Sequence, residues 1–429
     1  MPSRYRGAAL VALPVVAFCV FAEITSLIIY YVDTGALFYL HRKTYELIPE
    51  TAEGALTREG LHPYFGQTHK PGTPFDVPDS LRGERPARRV TNNFGFVSPH
   101  AYPFARQRAD QFLIGIFGGS VGLWFCEVGA DRLIENLERH AFFRQKEIVP
   151  LCMSHEGYKQ PQQLLVLTYF LSIGQQFDAV VNIDGLNEVA LSSLNDQRGM
   201  EISMPSAQHL DPLVNLVDRS TLTPEKLESL ARINRDKQRL NSLAATIQGN
   251  RIASINFVLE QYYRITSNGY ARELGRFSNL PSNAADRSVV HVTTRVADRQ
   301  GVALFEEIAR NWARASMLMR ATLAERKISY IHVLQPNQYH TARRFSAEEA
   351  GVALSSESPF KASVEKGYPV LVAESEAALA RSGHFFNGIA IFDNEPAPVY
   401  MDNCCHYTLA GNHRLADFVA ASILTAGGY

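Results

Sequence analysis

The stretch QFLIGIFGGSVG, residues 111–122, is an apolar run that ends in two glycines and a serine. A short, uniformly apolar run bounded by glycine predicts a buried strand. The chain beyond it alternates regularly. GADRLIENLERHAFF, residues 129–143, has helical spacing, with Leu133, Leu137 and Phe142 on one face. KEIVPLCMS, residues 146–154, reads as a second strand. QPQQLLVLTYFLSIG, residues 160–174, reads as a helix with Pro161 in its first turn, and FDAVVNIDG, residues 177–185, as a third strand. Strands alternating with helices imply parallel pairing, so the expected fold is α/β, a flavodoxin-like three-layer parallel sheet.

The rhythm breaks between about 195 and 310, where polar helical stretches such as TPEKLESLARINRDKQRLNSLAATIQG, residues 223–249, form an insertion too long for an ordinary connection. A helical cap or a partner surface is expected there. GVALFEEIARNWARASMLMRATLAERK, residues 301–327, then reads as an amphipathic helix and ISYIHVLQP, residues 328–336, as a buried strand. IAIFD (389–393) and APVYMD (397–402) read as short strands, and TLAGNHRLADFVAASILTA (408–426) as the closing helix.

The N-terminal side differs. GAALVALPVVAFCVFAEITSLIIYYV, residues 7–32, is long enough to cross a bilayer as a helix. It lacks a convincing small-residue cleavage site, so an uncleaved anchor over 1–43 is expected rather than a removed signal peptide. Arg4 and Arg6 precede it, which places the N-terminus inside and the body outside; Arg42 and Lys43 pull the other way. Residues 44–110, rich in Pro, Gly and Arg, read as a linker and small accessory subdomain of loops and short strands. Residues 111–429 are then the main domain with its insertion.

The formal net charge of -1 gives no basic field for nucleic acid. No zinc-finger spacing or Walker loop appears, and no cofactor or metal site is read from the chain. The five cysteines leave a disulfide open without fixing its partners. The adjacent Cys404 and Cys405 lack zinc spacing and read as small buried residues. Nothing in the chain fixes an oligomeric state.

Ser120 sits where the first core strand ends. The spacing does not fit a phosphate loop, and the G-x-S-x-G match of Gly118, Ser120 and Gly122 lacks the HGGG-type segment its usual host carries. A serine hydroxyl needs an imidazole base, and its tetrahedral intermediate needs oxyanion donors. In an open α/β sheet these come from loops at the carboxyl ends of strands. SHEGYKQPQQ (154–163) offers the Gly157 N–H, IDGLNEV (183–189) the Asn187 amide, and YMDNCCHYTLAGN (400–412) offers His406 with Asp402 four residues before it.

These four segments, in this order, resemble the blocks of the SGNH/GDSL hydrolase family. The resemblance covers roughly Phe112 to the C-terminus apart from the insertion. It implies Ser120 as nucleophile and oxyanion donor, Gly157 and Asn187 as further donors, and His406 as base. Gly119 stands where the family commonly has aspartate, and Asn403 where its acid usually lies. Asp402, Asn403 or a backbone carbonyl is therefore left to orient His406. The implied activity is a serine esterase or deacylase acting through an acyl-enzyme on a small-molecule or glycan ester, with the membrane location pointing to an acylated cell-envelope glycan or lipid. The alternatives are O-acetyl transfer to a polysaccharide, and a non-catalytic envelope scaffold built on the insertion. Other residues read blandly: His155 as near the proposed site but without a role, Glu188 as a solvated charge, Lys159, Arg343 and Arg344 as solvated cations, Trp124 and Phe125 as core. Gln335, Asn337 and His340 read as pocket lining or a polar loop.

Overall fold

In the computed structural model, residues 3–43, 45, 58–78, 81, 88–217, 223–280, 290–379 and 383–429 are described. They divide into two compact units, Met1–Thr57 with Asp218–Val289, and Arg58–Val217 with Val290–Tyr429.

The larger unit holds the sheet. Five strands, β5 (Gln111–Gly118), β6 (Glu147–Cys152), β7 (Ala179–Asp184), β8 (Ser329–Leu334) and β9 (Phe385–Asn387), pair in the order β6-β5-β7-β8-β9. All four pairings are parallel. This 2-1-3-4-5 order places a topological switch beside β5, the position where open α/β sheets bind ligands. Strands covered on both faces read as continuous apolar runs, and every residue of β5 and β7 is buried. Alternate residues feed two cores. Phe112, Ile114 and Ile116 pack with Leu133, Trp312 and Leu415 on one face. Leu113 and Phe117 pack with Val166, Phe170 and Met319 on the other.

Helix α2 (Ser120–Trp124) leaves β5 at once and runs through a π-helical turn, Phe125–Gly129, into α3 (Ala130–Glu138). The expected apolar face is met by Leu133 and Leu137. The helix ends before Phe142, which is exposed, and Phe143 fills the core instead. Helix α4 (Gln162–Ser172) follows β6, with Pro161 as its N-cap, and α5 (Leu186–Gln197) follows β7. IAIFD is not a strand. Gly388 N–H donates to Leu334 O as the sheet ends, and Asn387 Oδ1 accepts from Ile389 N–H, so Ile389–Phe392 winds as a 3-10 turn. APVYMD contributes only an isolated bridge, Tyr400 to Tyr407. Two antiparallel hairpins precede the sheet: β1 (Glu59–His62) with β2 (Gly66–His69), and β3 (Pro74–Asp76) with β4 (Arg88–Val90). Cys126 and Cys152 form a disulfide.

The smaller unit contains α1 (Ser3–Thr34), within which Leu13–Thr34 is long and apolar enough to span a membrane. It also holds two long insertion helices, α7 (Pro224–Gly249) and α8 (Ala253–Asn279), while α6 (Ala207–Val217) belongs to the larger unit. Glu23, an acid in the middle of the apolar span, accepts from the backbone N–H of Ala253 at 2.7 Å and of Ser254 at 2.9 Å. A carboxylate there satisfies orphan donors and complements the α8 dipole. Arg42 completes the arrangement by donating to the Gln248 and Ile247 carbonyls at the end of α7.

Candidate active site

The structure brings the separated segments together at the carboxyl end of the sheet. Ser120 is the first residue of α2 and half-buried. His406 Nε2 lies 2.7 Å from Ser120 Oγ, and His406 Nδ1 lies 2.5 Å from Asp402 Oδ2. With Nδ1–H donating to the carboxylate, Nε2 carries the lone pair that faces the serine.

Asp402, not Asn403, stands behind the imidazole, which resolves what the spacing left open. The four-residue separation works because the chain curls around the carboxylate. Asp402 Oδ1 accepts from the N–H groups of Cys404 (2.9 Å), Cys405 (3.0 Å) and His406 (3.2 Å), leaving Oδ2 for the ring. Burial raises the Asp402 pKa, but the His406 hydrogen bond and charge and these N–H groups outweigh it and hold it at about 2. Asn403 serves instead through its carbonyl, which accepts from Tyr339 Oη and Ser358 Oγ, both at 2.9 Å. Gln338 Nε2 donates to Asp402 O, and Asn337 Nδ2 to Cys404 O. Gln335 and Asn337 are buried and His340 half-buried. The segment after β8 thus braces the acid–base loop.

Asn187 opens α5, after the turn at Gly185. Its Nδ2 donates to Tyr158 O at 2.9 Å, and an amide nitrogen has a second hydrogen to give. A Cβ at Gly119 would lie 2.1 Å from that Nδ2, so glycine is what lets Asn187 approach the serine turn. Gly157 adopts φ +73°, and a Cβ there would lie 2.3 Å from the His209 ring. The Ser120 N–H is at a helix start, where the helix ladder does not use it.

Several bland readings are corrected. Glu188 is buried, its Oε1 accepting from Gln160 N–H (2.9 Å) and its Oε2 from Gly185 N–H (2.8 Å), so it ties the loop after β6 to the loop after β7. Burial and neighbouring Asp184 push its pKa up. Lys159 is also buried, donating to Ile202 O at 2.5 Å, and burial lowers its pKa to about 8. Arg343 is buried in an ion pair with Glu349 at 2.7 Å and donates to the carbonyls of Phe392, Glu395 and Ala397. Arg344 is exposed, as read; Phe125 is core and Trp124 half-buried. His155 is buried but not satisfied: its Nε2 has no hydrogen-bond partner. Sequence reasoning also missed a buried network in which Asp184 accepts from Asn182 Nδ2, Trp312 Nε1 and His332 Nε2 at 2.7–2.8 Å. No signal short of the fold places those residues together.

Cys405 is buried, as read, but Cys404 is only half-buried, with their sulfurs 2.9 Å apart. No protein-family profile and no curated protein matches this chain.

Proposed function

We propose that this chain is a membrane-anchored serine esterase or deacylase of the SGNH type. The observation that carries the reading is the continuous Ser120–His406–Asp402 chain of hydrogen bonds, at 2.7 and 2.5 Å. Such a chain is recognised by geometry and roles rather than by sequence position.

In this reading His406 Nε2 takes the Ser120 proton as Oγ attacks the ester carbonyl carbon. The tetrahedral intermediate places its oxyanion toward the Ser120 and Gly157 N–H groups and the free Asn187 amide hydrogen. Each such donor is worth about 3–4 kcal/mol in the transition state. Collapse of the intermediate transfers the proton from His406 to the leaving alcohol and leaves an acyl group on Ser120. Water then attacks the acyl-enzyme, deprotonated by the same imidazole, and free acid departs. Asp402 remains ionised throughout, holding the tautomer and stabilising the imidazolium.

The His406 side chain is 22% exposed, so the reacting groups lie within reach of a bulky acylated substrate. Together with an N-terminal helix long and apolar enough to span a membrane, this extends the reading to an acylated glycan or lipid of the cell envelope, with the body outside. The test uses the detergent-solubilised full chain on p-nitrophenyl acetate, alongside labelling by a serine-directed fluorophosphonate. Ser120→Ala is expected to lower kcat/KM by at least about 10³-fold and to abolish labelling. Equal activity of the two proteins, with no label on Ser120, would leave the scaffold reading in its place.

A further inference from the structure

We infer that the larger unit carries a metal site, built by Glu59, His69 and His155 and suited to one divalent ion of the zinc class. It does not depend on the esterase reading.

The hairpin supplies the first half. Glu59 and His69 are direct partners in the β1–β2 register, and residues opposite one another on an antiparallel pair project to the same face. The loop after β6 supplies the rest, and the hairpin is docked onto that loop. Tyr158 Oη donates to Gln67 O at 2.9 Å, and Gln162 Nε2 donates to Phe65 O at 2.6 Å. The result is a tight cluster, in which the ligand atoms of Glu59, His69 and His155 all lie within 4.8 Å of one another. The His69 and His155 ring centroids are 4.3 Å apart. Glu156 Oε2 lies 3.1 Å from His69 Nε2 and 3.6 Å from His155 Nδ1.

The hydrogen-bond accounting is what points to a ligand. His155 is 1% exposed and His69 7%. His155 Nδ1 lies 3.0 Å from Glu156 O, the carbonyl contact that directs Nε2 toward a metal in ligating histidines. That Nε2 has no hydrogen-bond partner and neither has His69 Nδ1, while His69 Nε2 faces the Glu156 carboxylate. A buried polar atom left without a partner is destabilising. Two such histidines and the Glu59 carboxylate are three donors of the kind zinc takes, with a fourth position left for water. Tetrahedral zinc with bonds of 2.0–2.1 Å needs ligand atoms about 3.3 Å apart, so the three side chains would close from within 4.8 Å of one another onto the ion. His209 Nδ1, 3.5 Å from Glu59 Oε1, backs the carboxylate as an outer partner. A metal bound here would clasp the hairpin to the loop after β6, so its role is structural.

The full chain, purified in detergent on a tag without histidines and loaded with zinc, is expected to retain about one zinc per chain after extensive dialysis. His155→Ala and Glu59→Gln should each lower retention at least tenfold. Cys404→Ser/Cys405→Ser should keep it, which separates this site from the cysteine pair. Cobalt loading of the unmutated chain gives a readout independent of any variant's folding: visible d–d bands without a thiolate charge-transfer band. Chelation should lower the Tm of the unmutated chain and not that of His155→Ala. Zinc retention equal in the unmutated chain and in His69→Ala/His155→Ala, or a cobalt spectrum carrying thiolate charge transfer, would overturn the proposal.

Discussion

At the scale of single residues, the acid is the informative group. Asp402 gives one oxygen to three backbone N–H groups and the other to His406. Its amide replacement would keep the shape and place an NH₂ or a weaker acceptor against Nδ1, favouring the wrong tautomer. Asp402→Asn is therefore expected to lower kcat/KM on p-nitrophenyl acetate by about 10³–10⁴-fold. Asn403→Ala, which keeps the carbonyl that Asn403 uses, should stay within about tenfold. The pH dependence has a definite sign. The folded carboxyl sits at about 2, below its ordinary value. Its stabilising contribution is fully present above about pH 4 and is lost as pH falls through about 2. The difference in Tm between the unmutated chain and Asp402→Asn should therefore shrink on acidification from about pH 4 toward pH 2. The sequence carried the ambiguity between Asp402 and Asn403 because spacing alone does not show how a loop curls. Three N–H groups converging on one carboxylate oxygen decide it.

At the scale of elements, Gly157 shows how backbone and packing act together. Its φ of +73° disfavours any residue with a Cβ, and the His209 ring on α6 closes over the same side. Gly157→Ala carries both penalties, strain of about 1–3 kcal/mol and an overpacking cost of similar size. Removing the ring in His209→Ala/Gly157→Ala relieves only the second. The expected order of Tm is unmutated chain, then the double variant, then Gly157→Ala, a non-additive cycle readable by thermal unfolding. If the double variant melts no higher than Gly157→Ala, His209 is not the closing group. The strands β5, β6, β7 and β8 were legible because uniformly buried strands are written as apolar runs. The short β9 was not: FFN carries no run, and the neighbouring IAIFD imitates one while the Asn387 side chain turns it into a 3-10 segment. Glu188, Lys159 and Arg343 were misread for one reason. Charge predicts exposure only when no partner is known, and each of these finds at least one partner on a segment distant in sequence.

At the scale of the whole molecule, the apolar N-terminal helix and the two long insertion helices α7 and α8 fall in one unit, and the sheet and its candidate site in the other. The apolar span was legible from length and composition. Its pairing with the insertion was not, because it depends on Glu23 meeting α8 from more than two hundred positions away in sequence. The proposed outside placement of the body bears on the cysteines of the larger unit. Cys126 and Cys152 are joined there, while Cys404 and Cys405 remain thiols. A disulfide of this kind persists in an oxidising compartment and is rare where thiols are kept reduced. If the body lies outside, as the proposed orientation requires, the chain taken directly from acid-quenched cells and denatured should react with a maleimide–polyethylene glycol at Cys19, Cys404 and Cys405 alone. Prior reduction should then add two further mass steps. Replacing Cys126 by serine should remove both steps and leave one newly reactive thiol at Cys152 without reduction. If five steps appear before reduction, the body resides in a reducing compartment. The inside placement of the N-terminus, and with it a cell-envelope substrate, would then fall.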